Sequence, residues 1–274
     1  MYITNNPSVA RIAEANGTDM IFVDLETIGK EERQKGMNTV KSQHTIEDVR
    51  AIKDALASSE LLVRVNPIHP GSEEEIDSVI HNGADIIMLP MWKTEEEVGT
   101  FLTLVAGRCK TMLLLETREA YECLDDVLRM KGIDSIHIGL NDLHLSYGLT
   151  FMFEPLANGM VEDICGRIGR AGIPYGFGGI ARIGEGTLPA DKIVMEHLRL
   201  GSTQVILSRS FCNTDLCRDL EEVENIFRTN MRKERDFENY AATLPGEAFS
   251  RNKEEVAGIV SEIVRNIKKS RNED

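Results

Sequence analysis

Short apolar runs rich in β-branched residues alternate along the chain with longer stretches in which apolar positions recur every three or four residues. A run of four to eight apolar residues suits a strand buried on both faces, and the 3.6-residue period suits a helix laid against it. The alternation therefore predicts parallel strands joined by crossover helices. Eight strands are expected, at residues 2–4, 20–26, 61–66, 85–91, 111–117, 135–140, 175–178 and 204–208. Between them, residues 7–16, 73–82 and 94–105 read as helices, several ending at a glycine able to take the left-handed stop conformation. Eight such units fit an α/β fold of the closed (β/α)8 type, a TIM barrel, better than an open sheet.

Two stretches depart from short connections. Residues 27–43 form a long, charged loop after the second strand, a place where barrels often carry a lid. Beyond the eighth strand some 65 residues remain, in which Val256, Ile259, Val260, Ile263, Val264 and Ile267 recur at helical spacing. The expected division is a barrel over residues 1–234 and a C-terminal helical extension over 235–274. The apolar stripe of that extension needs a cover, either a neighbouring subunit or the chain's own barrel.

A length of 274 residues suits one such barrel, and 42% apolar with 28% charged residues suits a packed globular core. The net charge of -14 sets the average surface against phosphate backbones and anionic lipid, so nucleic acid and membrane are not expected partners. An anionic substrate would then need a local positive site. The opening MYITNNPSVARIAEANG has no basic flank followed by an apolar stretch, and no run reaches the length of a membrane helix, so the cytoplasm is the expected compartment. Cys109, Cys123, Cys165, Cys212 and Cys217 form no CxxC pair and are odd in number, as reduced thiols would be.

In a parallel barrel the chemistry sits at the C-terminal ends of strands, so polar residues that end apolar runs are the candidates. In MIFVDLE, Phe22, Asp24 and Glu26 share one face and Ile21, Val23 and Leu25 the other, which turns both acids into the barrel. In LLVRVNP the same alternation turns Arg64 and Asn66 inward, Arg64 either to pair with those acids or to bind substrate. TMLLLET ends at Glu116, and SIHIGLND ends at Asn141 and Asp142. Adjacent strands lie about 4.8 Å apart, so Glu116 and Asp142 can converge on one divalent ion, although hydrogen-bonded carboxylates at strand ends fit the spacing equally well. The YGFGGIARIGEG segment brings glycines, Gly178 and Gly179 among them, to the mouth; cradling an anion and permitting a tight turn are both open to it. Arg182 and Arg209 are further anion contacts or solvated cations, and His137 and His144 are proton donors or packed rings.

The segments VDLE, LLVRVNP with ADIIMLPMWKTEEEV, LLLETREA and IHIGLNDLHLSYG stand in the order and spacing of the HpcH/HpaI aldolase and citrate lyase β-subunit family, which this chain resembles densely over residues 18–150. The resemblance implies a barrel of the phosphoenolpyruvate-binding superfamily, a homo-oligomer in most members, that makes or breaks a carbon–carbon bond next to a 2-oxo acid or acyl thioester. It implies Mg2+ or Mn2+ on Glu116 and Asp142, an enolate-stabilising Arg64 and Glu26 as the acid of an LDLED-like motif; Asp24 is expected beside Glu26 in catalysis, and Asn66, Asn141, Gly178 and Gly179 are the expected substrate contacts. Two departures bear on substrate. The pyruvate aldolases carry a histidine just past the second-strand carboxylate, where this chain has Thr27 and Ile28, and the arginine-serine opening of citrate lyase-like members is replaced by MYITNNP. The expectation is a metal-dependent carbon–carbon lyase of aldolase type, with a citrate lyase-like acyl-CoA lyase or a silent ligand-binding barrel as alternatives.

Overall fold

The computed structural model describes residues 1–29 and 44–273, with no account of the side chains of 272 and 273. Among them eight parallel strands close a barrel in chain order: β1 (Tyr2–Ile3), β2 (Met20–Asp24), β3 (Glu60–Arg64), β4 (Ile86–Leu89), β5 (Lys110–Leu115), β6 (Ser135–Ile138), β7 (Tyr175–Ile180) and β8 (Gln204–Leu207). Closure is made where Tyr2 of β1 stands opposite Leu207 of β8. All eight expected strands are present. Most are one or two residues shorter than the apolar runs, because residues such as Glu26 and Asn66 continue the alternation after the ladder has ended.

Alternation sorts the side chains into two cores. Phe22, Leu62, Ile86, Met88, Met112 and Leu114 fill the barrel itself, and Ile21, Val23, Leu61, Val63, Leu113, Leu115, Ile136 and Ile138 face the helix layer. Fully burying each such side chain stabilises the fold by about 1.5–3 kcal/mol.

Local chemistry starts the helices where the pattern predicts. In α1 (Pro7–Ala15), Asn6 accepts the backbone N–H groups of Ser8 and Val9, and Pro7 occupies the first turn, where a missing N–H costs nothing. The helix over Glu95–Val105 begins with a reciprocal box in which Thr94 and Glu97 bond each other's backbone N–H.

After β8 two long helices follow, α11 (Leu220–Ala241) and α12 (Gly246–Glu273), with α11 running unbroken across residue 234. The apolar stripe of α12 packs on its own chain: Val256 and Val260 are buried, and Ile259 and Val264 pack against the same core. Polar bonds lock it to α10 (Ala190–Leu200). Asn252 Nδ2 donates to the Lys192 carbonyl at 3.0 Å and to Glu196 Oε1 at 2.9 Å, while the other oxygen of that buried acid takes Arg199. No described helix is long and apolar enough to cross a membrane.

Candidate active site at the barrel mouth

Strand register builds the first cluster. Asp24 stands directly opposite Arg64 on the neighbouring strand, and the two continue the inward alternation of Phe22 and Leu62, so their side chains meet inside the mouth. Arg64 Nε and Nη2 each donate to one oxygen of Asp24 at 2.8 Å, and Nη2 lies 3.4 Å from Glu26 Oε2. The acids are buried, at 2% exposure each, where an ionised carboxylate persists only beside a cation. Burial works against the guanidinium charge, but Asp24 and Glu26 outweigh it and raise its pKa. The Glu26 N–H also donates to Asp24 Oδ1 at 3.2 Å, and the guanidinium lies 5.6 Å from the Phe22 ring centroid. Of the two sequence readings of Arg64, the ion pair is what the fold contains, and it holds the cation at the mouth.

The second cluster comes from β5 and β6. Leu115 stands opposite Ile138, so Glu116 and Gly139 emerge side by side. A Cβ on Gly139 would lie 2.7 Å from Glu116 Oε2 and 2.9 Å from its Cβ, so only glycine leaves room for this carboxylate. Asp142 follows on the first turn of the short helix α7 (Leu140–Ser146). Burial pushes the Glu116 carboxyl well above the usual carboxylate range, and Asp142 pushes the same way. Arg64 and the Met91 N–H, at 3.1 Å, oppose them. Arg64, Glu26, Glu116 and Asp142 thus act on one electrostatic neighbourhood. Among the described residues, no group of three or more His, Cys, Asp or Glu side chains gathers to hold a metal by protein ligands alone. Two hard oxygen donors, one of them buried and disfavouring its own charge, are nevertheless the incomplete set that magnesium takes when waters and substrate supply the rest.

The remaining expected residues are placed as follows. Asn66 Oδ1 accepts the N–H groups of Thr27 and Ile28 at 2.9 Å each, and its Nδ2 donates to Glu75 at 2.7 Å, so it anchors the start of the 27–43 segment. The lid expected there lies, beyond Gly29, outside the described residues. Gly178 has φ +56° and its added Cβ would meet Leu140 Cδ1 at 2.9 Å; a Cβ on Gly179 would stand 3.2 Å from the Ile206 carbonyl. Both positions need small residues for packing. Asn141 lies beside Asp142 on α7, half-buried. His137 is buried in the barrel with Nε2 3.1 Å from the Gly178 carbonyl, and burial lowers its pKa to about 3, leaving a neutral ring. His144 Nδ1 lies 3.3 Å from the Leu140 carbonyl, Arg182 donates to the Phe211 carbonyl, and Arg209 is exposed beyond β8.

The family model described as HpcH/HpaI aldolase/citrate lyase matches residues 1–154, more than half of the chain and the whole stretch that supplies Asp24, Arg64, Glu116 and Asp142. The chain belongs to the HpcH/HpaI aldolase/citrate lyase family. Among solved structures it is similar to an HpcH/HpaI aldolase from Desulfitobacterium hafniense DCB-2, at 17% identity and TM-score 0.60, covering 81% of this chain and 91% of that one. It is likewise similar to an HpcH/HpaI aldolase/citrate lyase family protein from Burkholderia cenocepacia J2315, at 16% identity and TM-score 0.62 over 81% and 94% of the two chains. A citrate synthase, SbnG, matches at 18% identity and TM-score 0.59 over 82% and 92%. At such identities the likeness is one of fold. A search of curated protein sequences finds no match.

One residue at this HpcH/HpaI mouth escaped the sequence reading. His44 returns from the far side of residues 30–43, and its Nδ1 accepts the Asp24 N–H at 3.0 Å. An imidazole therefore stands at the end of β2 although Thr27 replaces the family's histidine. A neutral ring that accepts at Nδ1 carries its proton on Nε2. Its only sequence signal was its place just before the cap Thr45 of the next helix.

Proposed function

We propose that this chain is a divalent-metal-dependent carbon–carbon lyase that cleaves a 4-hydroxy-2-oxo acid through an enolate, with Mg2+ or Mn2+ held by Glu116 and Asp142. The observation that carries the reading is the pairing of two clusters at one mouth: Glu116, whose carboxyl is held well above the usual range by burial and by Asp142, beside a guanidinium held charged by Asp24 and Glu26. When bound, the metal would polarise the 2-oxo group and lower the cost of negative charge on its oxygen.

The chain's own residues then have separate tasks. In the cleavage the C3–C4 bond breaks, its electron pair moves onto the 2-oxo oxygen, the C4 hydroxyl loses its proton to become an aldehyde, and C3 finally gains a proton. Arg64 opposes the charge that develops on the enolate oxygen, a preorganised donor that needs no rearrangement because Asp24 grips both arms of its fork. Glu26, whose Oε2 lies 3.4 Å from Nη2, would be the carboxyl that exchanges a proton with substrate. Asn141 and the backbone of Gly178 and Gly179 would take the substrate carboxylate, and Asn66 holds the backbone of Thr27 and Ile28. The family resemblance adds a homo-oligomeric state, which light scattering would read.

The test is release of 2-oxo acid from a panel of 4-hydroxy-2-oxo acids, followed with a coupled dehydrogenase. Turnover that requires Mg2+ or Mn2+, stops with chelator and is lost in Glu116→Gln is the expected result. Turnover that persists in chelator overturns the metal assignment. Inhibition by coenzyme A, with no cleavage of any oxo acid, would move the substrate to an acyl thioester.

A further inference from the structure

At the opposite end of the barrel lies a cavity of about 440 Å³, within the usual range of small-molecule sites. It is walled by the loop before β2, the C-terminal end of α10, the start of β8 and one face of α11. Seven buried side-chain oxygen or nitrogen atoms have no hydrogen-bond partner among the described residues, and four of them belong to side chains that line this one cavity: Thr18 Oγ1, His197 Nε2, Gln204 Oε1 and Glu234 Oε2. Each buried group left in that state costs about 1–3 kcal/mol, so a chance gathering of four is a poor account of it.

The groups are also held in place. The His197 ring stacks on Phe177, with centroids 3.7 Å apart and planes 3° apart, and its Nδ1 lies 2.7 Å from Ser202 Oγ, so Nε2 points in one direction. Glu234 projects from the stripe of α11 that buries Val223, Phe227 and Met231, at 4% exposure. Two of the four atoms are carboxyl or amide oxygens that can only accept when the acid is ionised, a third is a hydroxyl that can accept, and Met20, Leu198 and Met231 supply an apolar wall. Of the nearby charges, Arg235 is taken by Glu238 at 2.9 Å and Asp19 at 3.4 Å. The amino group at Met1 is lowered to about 6 by burial and bonds the Val205 carbonyl, so it adds little positive charge at neutral pH. Burial raises the Glu234 carboxyl to about 7, Glu238 pushes the same way, and Arg235, engaged by Glu238 and Asp19, only partly opposes them.

We propose that this cavity is a second ligand site, remote from the mouth, that binds a small organic ammonium with its N–H donors on Glu234, Gln204 and Thr18 and its aliphatic body against Met20, Leu198 and Met231. Three N–H donors and a positive charge match an acceptor-rich cleft with one buried acid whose charge Arg235 only partly offsets. A few waters, each needing about 30 Å³, would satisfy the polar atoms but leave most of the volume and the apolar wall unexplained.

The experiment is calorimetric and ligand-observed NMR titration of the full chain with n-butylammonium and with the nearly isosteric 1-butanol, repeated on Glu234→Gln and on Thr18→Val. Mn2+ binding at the mouth is followed in parallel as a check on folding. The expected result is saturable binding of the amine, at least about tenfold tighter than the alcohol, weakened about tenfold or more in Glu234→Gln and less in Thr18→Val, with Mn2+ binding unchanged. Equal affinity for amine and alcohol, no saturation, or full affinity retained in both variants would overturn the proposal and leave the cavity to water. Because Mn2+ binding is read separately, failure at this end is distinct from failure of the lyase assignment.

Discussion

The two ends of the barrel treat buried charge in opposite ways. At the mouth, Asp24, Arg64 and Glu26 satisfy one another through short bonds, and the remaining acid, Glu116, has Asp142 for company and only a backbone N–H and Arg64 to restrain it. At the base, Glu234, Thr18, Gln204 and His197 line a cavity, and each keeps one buried polar atom with no hydrogen-bond partner among the described residues. A paired cluster keeps a charge ready for use, whereas an unpaired one costs stability until something fills it. The two proposals follow that difference, an anion with a metal at the mouth and a cation at the base.

The largest effect expected from breaking this contrast is at Arg64. Replacing it with Met strands two carboxylates at 2% exposure, and urea unfolding should show a loss of about 3–5 kcal/mol. A loss below about 1 kcal/mol would mean that water already solvates the pair. Glu234→Gln should go the other way and depend on pH. The folded-state carboxyl titrates at about 7 and the unfolded one at 4.5, so between those values the native state holds a proton that the unfolded state has released, and wild-type stability falls as pH rises through that window. The variant escapes the fall. It should match wild type near pH 4 and exceed it by roughly 3 kcal/mol above pH 7.5, as read by urea midpoints at the two pH values.

Gly139→Ala sharpens the mouth side of the contrast. The new Cβ, 2.7 Å from Glu116 Oε2, must move the carboxylate, and a displacement near 1 Å should lower metal-dependent turnover by about a hundredfold. Weaker Mn2+ binding should accompany that loss, and unchanged Mn2+ affinity would remove Glu116 from the metal. The smallest effect belongs to Asn66→Ala, which frees the N–H groups of Thr27 and Ile28 and should cost about 1–2 kcal/mol in thermal unfolding. A fall in turnover with no loss of stability would instead make Asn66 a substrate contact.

The barrel was legible because period-2 and period-3.6 patterns both follow from burial, which also sorted Phe22, Asp24 and Glu26 from Ile21 and Val23. The Asp24–Arg64 pair was half legible. Alternation turned both inward, but only the register that sets them opposite each other decides between pairing and substrate contact. His44 was not legible, because its bond to Asp24 spans residues whose path no local pattern gives. The base cavity left one trace: Glu234 occupies the same helical stripe as Phe227 and Met231, and an acid at an apolar position is a signal that pattern reading alone can find. Its convergence with Thr18, His197 and Gln204 is a matter of tertiary packing. The stripe of α12 posed a choice of cover, and the fold covers Val256 and Val260 with the chain's own residues.

Solvent deuterium exchange into the methyl group of pyruvate, followed by proton NMR, asks directly whether the mouth makes an enolate. Exchange that requires Mg2+ or Mn2+, ceases with chelator and is abolished in Glu116→Gln is the predicted result. Absence of exchange with either metal, while Mn2+ demonstrably binds at Glu116 and Asp142, would contradict enolate formation from a 2-oxo acid at this site.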